Sequence, residues 1–88
     1  PVGMAVSSKN DELFICDENN NRLQVHQAST GAYVRSIQAE TPSGVVCLNQ
    51  NLTEVLYVCS SGEVKVVVFA TDGTRLRRFA AAKPHLPF

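Results

Sequence analysis

An all-β fold made of two consecutive copies of one four-stranded unit is predicted by three observations. The chain repeats itself: Gly3 answers Gly44, Phe14-Ile15-Cys16 answers Tyr57-Val58-Cys59, Arg22 answers Lys65, Gly31 answers Gly73 and Ile37 answers Phe79. The offset is 41 at the start, 43 in the middle and 42 at the end, a period of about 42 residues with single-residue slips. Within each copy, short apolar runs alternate with turn-forming clusters of Asn, Asp, Ser and Gly. No stretch carries an apolar stripe at 3.6-residue spacing, so no helix is expected. A forty-odd-residue repeat of short strands is the pattern of β-propeller blades, here two four-stranded antiparallel blades of an incomplete ring.

Each predicted element has its own reason. Gly3-Met4-Ala5-Val6 is short and small, as a crowded inner strand must be, and Asn10-Asp11 marks the following turn. Leu13-Phe14-Ile15-Cys16 is continuously apolar, the composition of a strand buried on both faces. Asp17 to Asn21 is a polar turn rich in Asn, which tolerates left-handed backbone. Arg22-Leu23-Gln24-Val25-His26 alternates polar and apolar with the period of a half-buried strand. Ser29-Thr30-Gly31 turns the chain into a fourth strand, Tyr33 to Ile37. The second copy runs in the same order: strands Val45 to Leu48, Val55 to Cys59, Val64 to Phe69 and Arg75 to Phe79, with turns at Asn49 to Thr53, Ser60 to Gly62 and Thr71 to Thr74. Asp72-Gly73 between two strands is a hairpin signal.

Bulk composition narrows the class. Eighty-eight residues with 44% hydrophobic content make one small globular unit rather than a disordered segment. The longest apolar run, Val66 to Ala70, is far too short to span a bilayer, so no membrane partner is expected. Zero formal net charge argues against a strong nucleic-acid field. The halves differ: Lys9, Arg22 and Arg35 against Asp11, Glu12, Asp17, Glu18 and Glu40 leave residues 1–41 at −2. Lys65, Arg75, Arg77, Arg78 and Lys83 against Glu54, Glu63 and Asp72 leave residues 42–88 at +2. Three cysteines without CxxC spacing read as reduced core thiols, and that usage leans towards an intracellular, cytoplasmic setting. A Cys16–Cys59 disulfide is not expected, because equivalent positions on packed sheets lie about 10 Å apart, beyond the roughly 7 Å that a disulfide spans.

Pro1-x-Gly3-Met4-Ala5-Val6, followed by Leu13-Phe14-Ile15-Cys16-Asp17-x-x-Asn20-Asn21-Arg22-Leu23-Gln24-Val25, resembles the NHL repeat. The second copy resembles it more loosely: Ser60 replaces the strand-ending Asp, Glu63-Val64 replaces Asn-Asn, and Lys65 replaces Arg. The resemblance implies four-stranded propeller blades, usually six to a ring, with Asp17 and Arg22 stabilising the blade. It divides the chain into blade 1 at 1–41, blade 2 at 42–83, and 84–88 as a tail or the start of a further blade. The opening at Pro1 and the Pro87 that follows Pro42 by 45 residues suggest a segment of a longer propeller. Two blades leave two faces uncovered, so the isolated chain is expected to self-associate.

Candidate sites are few. Asp17-Glu18-Asn19-Asn20-Asn21 opens like a calcium loop, but Arg22 stands where that loop needs Gly and Ala28 where it needs Glu. Asp17, Asn20, Asn21 and Arg22 are therefore read as a structural turn whose side chains bond local backbone N–H groups, with an Asp17–Arg22 ion pair. His26 and His85 lack zinc-ligand spacing, so neither a metal nor another cofactor is expected. Arg75, Arg77, Arg78 and Lys83 form the basic cluster. Strict alternation puts Arg75 and Arg77 on one face and Arg78 on the other. They discourage edge pairing or contact an anionic partner. Asn51-Leu52-Thr53 is an N-glycosylation acceptor only in a secreted chain. No residue set specifies a reaction. The reading is a non-catalytic scaffold or adaptor propeller module binding protein, or docking on further blades. RNA binding, as in tripartite-motif NHL proteins, is one alternative. A propeller enzyme such as an amidating lyase or lactonase is another, and would need metal-binding His, Asp or Glu residues converging on the central channel.

Overall fold

The computed structural model describes residues 3–60 and 65–80, and these form eight strands in two sheets. The first sheet contains β1 (Met4–Ser7), β2 (Glu12–Asp17), β3 (Arg22–Gln27) and β4 (Tyr33–Gln38). The second contains β5 (Pro42–Gln50), β6 (Thr53–Ser60), β7 (Lys65–Ala70) and β8 (Arg75–Ala80). Both are antiparallel meanders in sequence order. Two consecutive four-stranded propeller blades are the result. Residues 84–88, Lys83, Val64 and the turn after Ser60 fall outside the described residues.

The turns follow local chemistry. A three-residue 3-10 turn, Glu18–Asn20, joins β2 to β3 and ends on Asn21 at φ +52°, a left-handed position that Asn tolerates. The broad turn expected over Asn49 to Thr53 contracts to two residues. β5 runs through Gln50, and Asn51 and Leu52 both take positive φ, which matches the twist of the flanking strands. In the β7–β8 hairpin, Gly73 sits at φ +101° and Asp72 Oδ1 accepts from the Thr74 amide at 2.8 Å.

Strand alternation sorts the side chains. Phe14, Cys16, Leu23, Val25 and Ile37 of blade 1 face Val45, Leu56, Val58, Val67 and Phe69 of blade 2, and together they form the core between the blades. Fully burying each large member contributes about 1.5–3 kcal/mol. Gly3 allows the closest approach: a Cβ there would lie 2.9 Å from the Ser43 carbonyl oxygen and 3.0 Å from the Gly44 Cα. Polar bonds lock both ends of the junction. At the β1–β2 hairpin, the buried Ser7 hydroxyl donates to Glu54, and Lys9 Nζ reaches the Leu52 carbonyl at 3.1 Å. At the other end, the Asn21 carbonyl accepts from the Ala39 amide at 3.1 Å, and its Oδ1 accepts from the Thr41 amide at 2.9 Å.

Among the described residues, nothing covers the two outer faces. Blade 1 presents Met4 and Val6, and blade 2 presents Val46, Leu48 and Phe79, each roughly half exposed or more. Cys59 is exposed as well, contrary to the expectation of three core thiols. Its counterpart Cys16 is buried because blade 2 covers it, while nothing described covers blade 2.

Candidate functional site

The β2–β3 turn gathers its polar groups around one carboxylate. Asp17 and Arg22 are directly opposed in the ladder, and Arg22 Nε donates to Asp17 Oδ2 at 2.7 Å. Asn20 Nδ2 adds contacts at 3.1 and 3.2 Å, and Gln24 Nε2 donates to Oδ2 at 3.1 Å. The Arg22 bond, then those from Gln24 and Asn20, hold the Asp17 carboxyl below its ordinary range. The expected bonds from Asp17 to local backbone N–H groups do not form, because the carboxylate turns sideways to these side chains. Asn21 does accept from a backbone N–H, but from Thr41 in the segment joining the blades.

Gln24 extends the cluster. Its Nε2 is committed to Asp17, so its Oε1 faces His26 Nε2 at 2.9 Å. His26 Nδ1 lies 3.0 Å from the Gly31 carbonyl, and the ring meets Tyr33 edge-on at 5.7 Å. Gln24 was not among the sequence candidates. The signal was there: it sits diagonally across the ladder from Asp17, within reach of a long side chain.

In blade 2 the equivalent positions behave differently. Ser60 Oγ donates to the Glu40 carbonyl at 3.0 Å, and Lys65 Nζ meets the Glu40 carboxylate at 3.2 Å. Ser60 and Lys65 thus both reach Glu40 in the segment joining the blades.

The arginines of β8 are distributed differently from the expected alternation. The β7–β8 register shifts between Val68 and Phe69, pairing Val68 with Arg77 but Phe69 with Arg75, so Leu76 bulges out. Arg75 and Arg78 consequently line one groove beside Phe69 and Lys65, on the side of blade 1, while Arg77 belongs to the outer face. That groove holds about 20 Å³, room for roughly one water. Arg77 lies flat against its own sheet, its guanidinium carbon 5.6 Å from the Phe79 ring centre and Nη2 3.2 Å from the Tyr57 hydroxyl. The basic cluster is therefore split. Lys83 lies outside the described residues.

A polar clamp between the blades went unnoticed in the sequence. Arg35 donates to both Glu12 oxygens, at 2.7 and 3.0 Å, and also to the Thr71 carbonyl of blade 2. Glu12 raises the Arg35 pKa, chiefly through these bonds. No local pattern announces a contact spanning 36 residues.

The Cys16 and Cys47 thiols are not activated. Burial raises the Cys16 pKa, with further contributions from Cys59 and Glu18, and burial and Glu54 raise that of Cys47. Among the described residues, no group of three or more His, Cys, Asp or Glu side chains is placed to hold a metal ion. None of their helices is long and apolar enough to cross a membrane.

Comparison with known proteins bears on the fold. The NHL repeat matches residues 1–25, which include β1, β2 and the Asp17 turn. Among solved structures, Kuenenia stuttgartiensis hydrazine synthase is similar, with 19% identity and a TM-score of 0.74 over 91% of this chain. The alignment covers 23% of that chain, so this one spans less than a quarter of its neighbour. At such identity the likeness concerns the fold alone. No curated protein matches. With the described residues forming eight strands in two stacked meanders, the chain is a two-blade stretch of β-propeller in which residues 1–25 match the NHL repeat.

Proposed function

We propose that this chain is a non-catalytic protein-binding module, a rigid two-blade scaffold that engages another polypeptide through its outer faces. The observation that carries this reading is the exposure of large apolar side chains on both faces: Met4 and Val6 on one, Val46, Leu48 and Phe79 on the other. Apolar surface gathered in this way marks protein contact sites. The strands beneath hold it in fixed geometry, which reduces the ordering cost of binding.

The test is site-specific photo-crosslinking. A photoreactive side chain at Val46 or at Val6 should capture polypeptide, and the same group at Asn19, on the β2–β3 turn, should capture far less. Equal capture at all three positions, or capture of RNA in place of protein, would overturn the reading.

A further inference from the structure

The two blades are copies, so the junction between them shows what each outer face is shaped to meet. Blade 1 docks on blade 2 through Ala5, Phe14, Cys16, Leu23, Val25 and Ile37. Their counterparts in blade 2 are Val46, Tyr57, Cys59, Val66, Val68 and Phe79, and the same register shift occurs in both blades. These counterparts belong to blade 2's outer face. The reverse also holds. Blade 2 receives blade 1 on Val45, Cys47, Leu56 and Val58, and their counterparts Met4, Val6, Leu13 and Ile15 make up the outer face of blade 1.

We infer that a second copy of this chain docks head to tail, blade 2 of one copy on blade 1 of the next, repeating the internal junction. This rests on the outer faces being protein-binding surfaces, as proposed above. Three features select a second copy as the occupant. First, the glycines repeat. Gly3 lies against Ser43 and Gly44 within a chain, while its counterpart Gly44 has nothing nearer a would-be Cβ than Cys59 at 4.0 Å. Gly73 touches Ile37 across the junction, at 3.4 Å from its would-be Cβ, while its counterpart Gly31 meets nothing within 4 Å. Gly31 of the next copy is then placed to receive Phe79, the counterpart of Ile37.

Second, Arg77 is the counterpart of Arg35. Through its two Nη atoms Arg35 donates to Glu12 and to a carbonyl of the facing hairpin. In blade 2 the Glu12 position is Val55, so Arg77 has no carboxylate within its own blade at that place. In the facing hairpin of the next copy the counterpart of Thr71 is Ser29, whose hydroxyl donates to the Asp11 carboxylate at 2.6 Å. Asp11 is thus close to where Arg77 arrives. Third, the docking halves carry opposite formal charge, −2 on residues 1–41 and +2 on residues 42–88, which steers the heterologous pairing over a symmetric one. Gln24 and His26 replace the apolar Val67 and Phe69 of the internal junction, which makes the contact between copies the more polar and reversible one.

Sedimentation velocity of the 88-residue chain from about 1 to about 500 μM tests this directly. The mean mass should rise with concentration. Val46→Glu blocks one face and Val6→Glu the other, both at exposed positions, and circular dichroism checks that each variant keeps its strands. Each variant alone should stay monomeric, and an equimolar mixture should form a heterodimer through the two intact faces. Arg77→Glu should weaken self-association about tenfold, a change of about 1.4 kcal/mol, and adding Asp11→Lys should restore it. A folded wild-type chain that remains monomeric, a single-face variant that still associates, or a mixture that does not would overturn the head-to-tail contact. If self-association is absent while crosslinking at Val46 still captures other proteins, this inference falls and the protein-binding reading stands.

Discussion

Gly3→Ala and Gly44→Ala are the same substitution at equivalent places in the repeat, yet the structure separates them sharply. At Gly3 a new Cβ lies 2.9 Å from the Ser43 oxygen, 3.0 Å from the Gly44 Cα and 3.3 Å from Cys16 Sγ. The two closest atoms are backbone, so no side-chain rotation relieves the contact and the blades must move apart. Overpacking of this kind costs about 1–3 kcal/mol. At Gly44 the nearest atom is Cys59 Cβ at 4.0 Å, an ordinary contact. Gly44 pairs with Cys59 inside a strand, where Ala loses less conformational freedom on folding, for a gain of about 0.4–1 kcal/mol. The two variants should therefore differ by about 1.5–4 kcal/mol. For a chain this small, each kcal/mol shifts Tm by about 4–8 °C. Thermal melts followed by circular dichroism, at concentrations low enough to keep the chain monomeric, read the difference. Equal melting temperatures, or a Gly44→Ala variant that is the less stable one, would refute the assignment of Gly3 to the blade junction.

Other substitutions separate equivalent positions in the same way. Asp17→Ala, which strips a carboxylate from Arg22, Asn20 and Gln24, should lower the urea midpoint more than Ser60→Ala, which loses one hydroxyl bond to the Glu40 carbonyl. Arg35→Met should cost about 1–3 kcal/mol by breaking the charged hydrogen bonds to Glu12 within blade 1 and to the Thr71 carbonyl across the junction, whereas Arg77→Met should stay within about 0.5 kcal/mol in the monomer; paired urea titrations measure both. The carboxyls of Asp17 and Asp72 both titrate lower in the folded chain, through Arg22 and through Thr74 respectively. The unfolded chain therefore binds more protons in acid. The stability they contribute is complete above the ordinary aspartate value of about 3.9 and fades as pH falls through their lowered values. Urea midpoints between about pH 2 and 6 should decline towards acid, and Asp17→Asn should flatten the slope.

Much of this molecule was determined locally, and the sequence by itself was enough for that part. The 42-residue recurrence, the order of the strands and the turns at Asn21 and Gly73 follow from side-chain alternation and from which residues accept positive φ. So does the pairing of Asp17 with Arg22, because two residues flanking one tight turn must face each other. Only the tertiary structure decided the rest. Alternation alone put Arg75 with Arg77, but a one-residue bulge at Leu76 reverses the face of everything beyond it. The Arg35–Thr71 and Ser7–Glu54 bonds join residues far apart in sequence, and they exist only because two sheets stack. Cys16 and Cys59 make the same point: equivalent in sequence, one is buried and the other exposed. Burial depends on what lies across the sheet, and a strand's own residues carry no information about that neighbour.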